Sequence, residues 1–271
     1  MKTKLVFLLA VATIASAQDF PTLGKKYTID YNPANAGVLT GAKTMTLVYA
    51  FDYWNATTTS ERTATSAFAS VIDPDPTRVH RVEMKKQRQM WTAEIEIPLN
   101  VALLSYYCTD GNRRDYNNNN TYVKYVCDKQ GQPVRNARFR NITFLLMAQK
   151  GTNVQLKEIS TELKNFPDNY IAYIPYWLLR IDTTNSTKSL QIIIKEVRDE
   201  FASLEQKLGP TDSLKNIKAG VIYRYALKLQ ADGTGSVEPI VKEFKEIVEG
   251  IPPSRRFRYI QEIYSEWFGN K

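Results

Sequence analysis

One histidine, His80, and two cysteines, Cys108 and Cys127, are the side chains of this sequence whose ordinary pKa lies closest to neutrality. Nucleophilic catalysis needs a base beside the attacking group, and no serine or cysteine motif offers His80 such a partner. Paired carboxylates are the other common device, as in glycoside hydrolysis. Glu94 and Glu96 share one strand face, but beside Arg81 they read as a cross-strand ion pair on an exposed sheet. Asp110, Asp115 and Glu94 are the acids a cryptic hydrolase could draw on, and they form no positioned acid–base pair. The sequence therefore predicts a protein that is not an enzyme and uses no cofactor.

Asp115, Asn117 and Asn119 stand at alternate positions, like the opening of a calcium loop. An EF-hand would then place glycine at Asn120 and a bidentate glutamate at Val126, so the set is incomplete and a structural turn is the better reading. The cysteines lack the two-residue spacing of a redox pair. They are expected to lie opposite each other in a hairpin of Ala102–Cys108 and Thr121–Cys127 and to form a disulfide. Closing such a loop contributes about 3 kcal/mol on the chain-entropy model. Trp54, Tyr106 and Tyr107 are the aromatics that could face a glycan or surface, although aromatics at strand spacing usually belong to the core.

The elements that must hold these residues divide the chain in two. Lys2 and Lys4 ahead of the apolar run Leu5 to Ala15 and the Ala15-Ser16-Ala17 site describe a secretory signal peptide over residues 1–17. The run is too short to span a bilayer, so no membrane span is expected, and the chain is read as exported, periplasmic or extracellular.

Residues 18–132 carry strand periodicity and read as a β-sandwich. Met45, Leu47, Tyr49, Phe51 and Tyr53 alternate with Thr44, Thr46, Val48, Ala50 and Asp52. A hairpin turning at Gln87-Arg88 would set Met84 opposite Trp91, Val82 opposite Ala93 and His80 opposite Ile95 on the inner side, with Arg81 facing Glu94 outside. Residues 133–271 change to the helical period, most clearly in Leu190, Ile193, Ile194, Val197, Phe201, Leu204 and Leu208. Asp168, Asp212, Ser236 and Ser254 are the expected N-caps. Two helix ends, in residues 158–170 and 244–254, share an acidic-basic run, an apolar residue and proline, which resembles the turn of tetratricopeptide repeats.

The formal charge is +8, and its excess lies in the first half, notably at Arg78, Arg81, Lys85, Lys86 and Arg88. Such a patch could attract an anionic surface, but on an exported sandwich it reads as a solvated face, and nucleic acid is not expected as a partner. Tyr106 to Cys108, Asp110-Gly111, the turn Asp115 to Asn119, Tyr122 to Val126, Gly131 to Ala137, and then Leu163 to Tyr170 with Tyr176-Trp177 follow one another in an order with a precedent. This series resembles the leading region of exported, TlpA-like thioredoxin-fold multidomain proteins of Bacteroidetes and their relatives. The resemblance implies an immunoglobulin-like domain and TPR-like helical hairpins ahead of a thioredoxin domain. The sequence stops at Lys271, where that domain would begin, so no thiol–disulfide activity is carried over. What remains is a non-catalytic cell-envelope protein that binds another envelope protein, with a glycan- or surface-binding module as the alternative.

Overall fold

The computed structural model describes residues 20–52, 79–118, 121–233 and 235–269. The leader at 1–17, Trp54, Arg78 and Asn119 lie outside these residues. A sheet-built half is followed by a helix-built half.

The first half contains β1 (Lys26–Tyr31), a single helical turn α1 (Pro33–Ala36), β2 (Thr46–Phe51), β3 (Val79–Glu83), β4 (Lys85–Gln87), β5 (Met90–Glu96), β6 (Leu103–Thr109), β7 (Arg114–Asp115) and β8 (Tyr122–Tyr125). They form two antiparallel sheets, β1-β5-β4 and β3-β2-β6, with both β7 and β8 paired to β6. Strand alternation decides which side chains meet. Tyr27, Ile29 and Tyr31 stand opposite Ile95, Ala93 and Trp91 in one sheet, and Leu47 and Phe51 stand opposite Cys108 and Leu104 in the other. All of these side chains belong to one apolar core between the sheets. Burying each larger one contributes roughly 1.5–3 kcal/mol.

The expected hairpin is displaced, because its first arm is not one straight strand. Val79–Glu83 pairs with β2; the chain then bends at Met84, whose N–H donates to the Met45 carbonyl at 2.8 Å, and Lys85–Gln87 pairs with β5 in the other sheet. Sandwich corners are made by strands that change sheets in this way. The turn into β5 falls at Arg88-Gln89, one residue later than expected, so Lys86, not Met84, faces Trp91. His80 faces Tyr49 rather than Ile95, is exposed, and stacks on the Tyr49 ring at 5.1 Å. Arg81 faces Val48, and Glu94 takes Lys26 of β1 as its ion-pair partner at 2.7 Å. Arg81, Lys85, Lys86 and Arg88 are exposed along this bend, where β3 and β4 end their respective sheets. Lysines on an end strand oppose pairing with a strand of another molecule.

The expected disulfide is also corrected. In an antiparallel pair the beginning of one strand meets the end of the other: Leu103 faces Tyr125 and Tyr106 faces Tyr122. Cys108 therefore lies at one end of β6, opposite Asp115, while Cys127 lies past the other end and bridges Thr22 and Pro133. Roughly 20 Å of strand separates them, well beyond the reach of a disulfide. Both are buried free thiols, and burial pushes Cys108 up to about 12 and raises Cys127 as well. Titration with a chromogenic disulfide reagent is expected to find no reactive thiol in the native chain and two in guanidinium without reductant. Two silent cysteines in guanidinium would mean that a bridge exists.

The second half contains α2 (Ala137–Met147), α3 (Thr152–Asn165), α4 (Tyr173–Asp182), α5 (Thr187–Leu208), α6 (Asp212–Asp232), α7 (Glu238–Glu249) and α8 (Arg258–Phe268). Each packs against its neighbours in the chain, and α4 also packs on α6. The stripe Leu190, Ile193, Ile194, Val197, Phe201 and Leu204 is buried, as its spacing predicts, whereas Leu208 at the helix end is exposed. The caps differ from expectation. Thr211 rather than Asp212 caps α6, accepting from Leu214 N–H, and Ser186 caps α5 by accepting from Ser189 N–H. Asp168 pairs with Arg135 at 2.8 Å, and Ser254 lies in a short 3₁₀ turn ahead of α8. No helix among the described residues is long and apolar enough to cross a membrane.

The halves meet through α2, which packs on β6 and β8. Tyr125 of β8 donates its hydroxyl to Glu158 of α3 at 2.5 Å and accepts from Asn141 Nδ2 at 2.8 Å, and Arg138 lies over its ring.

Candidate functional site

Among the described residues, those singled out from the sequence do not converge. Asp115 is buried, and its carboxylate is already occupied: Oδ2 accepts from the hydroxyls of Tyr31 at 2.6 Å and Tyr122 at 3.1 Å, and Oδ1 accepts from Asn117 N–H at 2.8 Å. Asn117 and Asn118 both hold φ near 55°, a left-handed backbone that asparagine tolerates better than most residues. This is a turn closed over a core carboxylate, not an open coordination site. Asp110 accepts from Arg113 and Asn112 N–H groups and pairs with the Arg113 guanidinium at 2.7 Å, which together hold its carboxyl below the usual range. Among the described residues, no three His, Cys, Asp or Glu side chains are grouped to hold a metal.

Tyr106 and Tyr107, considered as ligand-facing aromatics, are both buried. Tyr106 stacks on Tyr122 at 5.0 Å inside the sandwich, and Tyr107 leans on Tyr116 at 4.7 Å. Every residue of β6 is buried, because one face meets the opposite sheet and α2 packs on the strand as well.

A groove of about 650 Å³ opens instead in the helical half, lined from α3, α4 and α5. That volume lies within the range of ligand sites, roughly 300–1,000 Å³. Its aromatic wall comes from α4. A turn at Pro167 and a 3₁₀ segment over Tyr170–Ala172 lead into this helix, and Pro175 sits in its first turn, where a backbone N–H would have no helical acceptor anyway. Tyr173 and Trp177 face inward one turn apart, with Tyr176 half-buried beside them. Arg180 follows at i+3 and i+4, so its guanidinium lies over the rings of Trp177 at 4.8 Å and Tyr176 at 5.5 Å.

The acidic wall comes from α5. The apolar stripe of this helix turns to the core, which leaves Glu196, Asp199 and Glu200 on the adjoining face at i, i+3 and i+4. Glu196 is tied to Arg180 at 2.6 Å. Asp199 pairs with Lys195 at 3.0 Å along the same helix, an exposed contact worth a few tenths of a kcal/mol. The Tyr173 hydroxyl donates to the Pro167 carbonyl at 3.1 Å, and burial, then the Glu200 carboxylate, push it well above the ordinary tyrosine range. Trp177 is 3% exposed, and its indole Nε1–H is buried without an acceptor. Leu163 and Lys164 of α3, with Ser160 at the surface, complete the lining.

This set of groups presents aromatic faces, three carboxylates and two cations to one concave surface. The groove is hard to foresee from the residues alone, because three helices contribute and the α5 acids look like any solvated face. Tyr176-Trp177 was the visible signal. Comparison with protein-family models, with curated proteins and with solved structures returns no match for the chain.

Proposed function

We propose that this protein is a non-catalytic, exported cell-envelope protein that binds a segment of another protein in the groove between α3, α4 and α5. The reading takes the sheet half as immunoglobulin-like, the helical half as a TPR-like array, and the chain as related to the leading region of TlpA-like proteins. The observation that carries it is the groove itself, a concave surface with an aromatic wall and unequally satisfied charges. Support also comes from the packing order, in which α4 contacts α3, α5 and α6, as stacked hairpins do. The apolar run behind Lys2 and Lys4 supports export. With Tyr106 and Tyr107 buried, the glycan reading loses two of its three aromatics.

The test is a displayed library of random 12-residue peptides selected on the full chain, with binders re-measured on Ser160→Trp. Ser160 is exposed on α3 and lines the groove, so tryptophan there fills the groove without entering the core. Selected peptides are expected to lose at least about tenfold in affinity, or 1.4 kcal/mol, while circular dichroism is unchanged. Binders indifferent to this substitution, or no binders at all, would remove the proposal.

A further inference from the structure

We infer that the groove recognises a cationic side chain, lysine or arginine, carried on an extended segment of the partner; this rests on the groove reading above. Four observations point there. The groove is lined by three carboxylates against two cations, Lys164 and Arg180, a formal −1 before the exposed Lys195 beside Asp199 is counted, whereas the whole chain carries +8. The positive excess of the chain is therefore absent from this surface. Arg180 is already held by Glu196 at 2.6 Å, and the weakly held acid is Asp199, whose lysine neighbour is exposed and easily exchanged. The aromatic wall supplies the second half of a cation site. Tyr176 and Trp177 already carry one guanidinium on their faces, which shows that these rings and Glu196 together suit a planar cation.

The fourth observation is the indole Nε1–H of Trp177, a buried donor that lacks an acceptor. Buried polar groups are nearly always satisfied, so an orphan beside a groove calls for a partner. A backbone carbonyl from an extended segment supplies one only after Arg180 moves off the ring, because the nitrogen is now closed to solvent. The arrangement thus matches a peptide that offers a carbonyl to Trp177 and a cation to Asp199 and Glu200. Arg180 shifts to admit the segment, since its guanidinium now covers the Trp177 ring.

The experiment uses the same full chain and the same random-peptide selection, read for composition. Binders are expected to be enriched in lysine or arginine at one position. Charge reversal at that position in a synthetic binder is expected to weaken it at least about tenfold. Asp199→Arg is expected to do the same to the parent peptide, and raising salt from 0.05 to 0.5 M, both concentrations being choices of the assay, to weaken wild-type binding several-fold. Asp199 is exposed and away from the core, so its replacement leaves the fold intact. Binders that are lost on Ser160→Trp but show no basic preference and ignore Asp199→Arg would overturn this inference while leaving the groove in place. Binders that ignore Ser160→Trp would overturn both.

Discussion

Asp115→Ala is expected to lower the stability of the sheet half by about 3 kcal/mol, read as a shift in the denaturant midpoint of its unfolding transition. The carboxylate ties together three groups from three separate parts of the sheet half. Tyr31 reaches it from β1 in one sheet, Tyr122 from β8 in the other, and Asn117 N–H from the turn that follows β7. Truncation takes this acceptor from the buried Tyr31 hydroxyl and the part-buried Tyr122 hydroxyl and removes one bond of the Asn117 amide, each loss costing about 1 kcal/mol or more. Tyr31 is 5% exposed, and burial, then its bond to Asp115, push its hydroxyl far above the ordinary range. Tyr31→Phe alone is expected to cost less, because it removes a donor together with its need for a partner. The double variant should therefore fall short of the sum of the two single losses, since both remove the same bond. A change under about 0.5 kcal/mol for Asp115→Ala would show that water replaces the carboxylate and that the turn is not pinned from the core.

The contrast between what the sequence disclosed and what it concealed follows from range. Periods are local, so the helical stripe of α5 was legible and is buried from Leu190 to Leu204; in β2 Met45, Leu47 and Phe51 are buried as expected, but so are Val48 and Ala50, while Tyr49 is half-buried, so the expected alternation between a buried and an open face does not hold there. Register is not local. The bend at Met84 puts Val79–Glu83 beside β2 rather than β5, which moves His80 from the expected inner site to an exposed one beside Tyr49. The cysteine pairing failed for a simpler reason: equal distances from a turn put residues opposite each other, and Cys108 and Cys127 sit at unequal distances. The caps slipped by a single residue or were taken over by more distant partners, as when Arg135 claims Asp168. The groove was the least legible part, because its walls come from residues up to 40 positions apart that meet only when α3, α4 and α5 pack.

The last expectation concerns the residue that fixes one of those walls. Glu162→Ala is expected to destabilise the helical half by about 3 kcal/mol and to weaken peptide binding in the groove, although Glu162 itself does not line it. Its carboxylate is 1% exposed, and Oε1 accepts from Asn136 N–H at 2.6 Å and from Asn169 Nδ2 at 2.8 Å while Oε2 accepts from Arg138 N–H at 3.2 Å. Asn136 precedes α2 with φ of 73° and makes no side-chain cap of its own. Glu162 of α3 therefore caps α2 from outside, a negative charge set where the helix dipole and the unpaired N–H groups most favour one. Through Asn169 the same carboxylate reaches the turn that launches α4, so three helices are referenced to one side chain. Leu163 and Lys164, the next two residues, belong to the groove lining, so loosening Glu162 displaces that wall. Glu162→Gln keeps one acceptor oxygen and is expected to lose roughly half as much stability, with binding reduced less than in the alanine variant. If alanine lowered stability but left binding untouched, the α3 wall would have to be held by its apolar contacts on α4 alone.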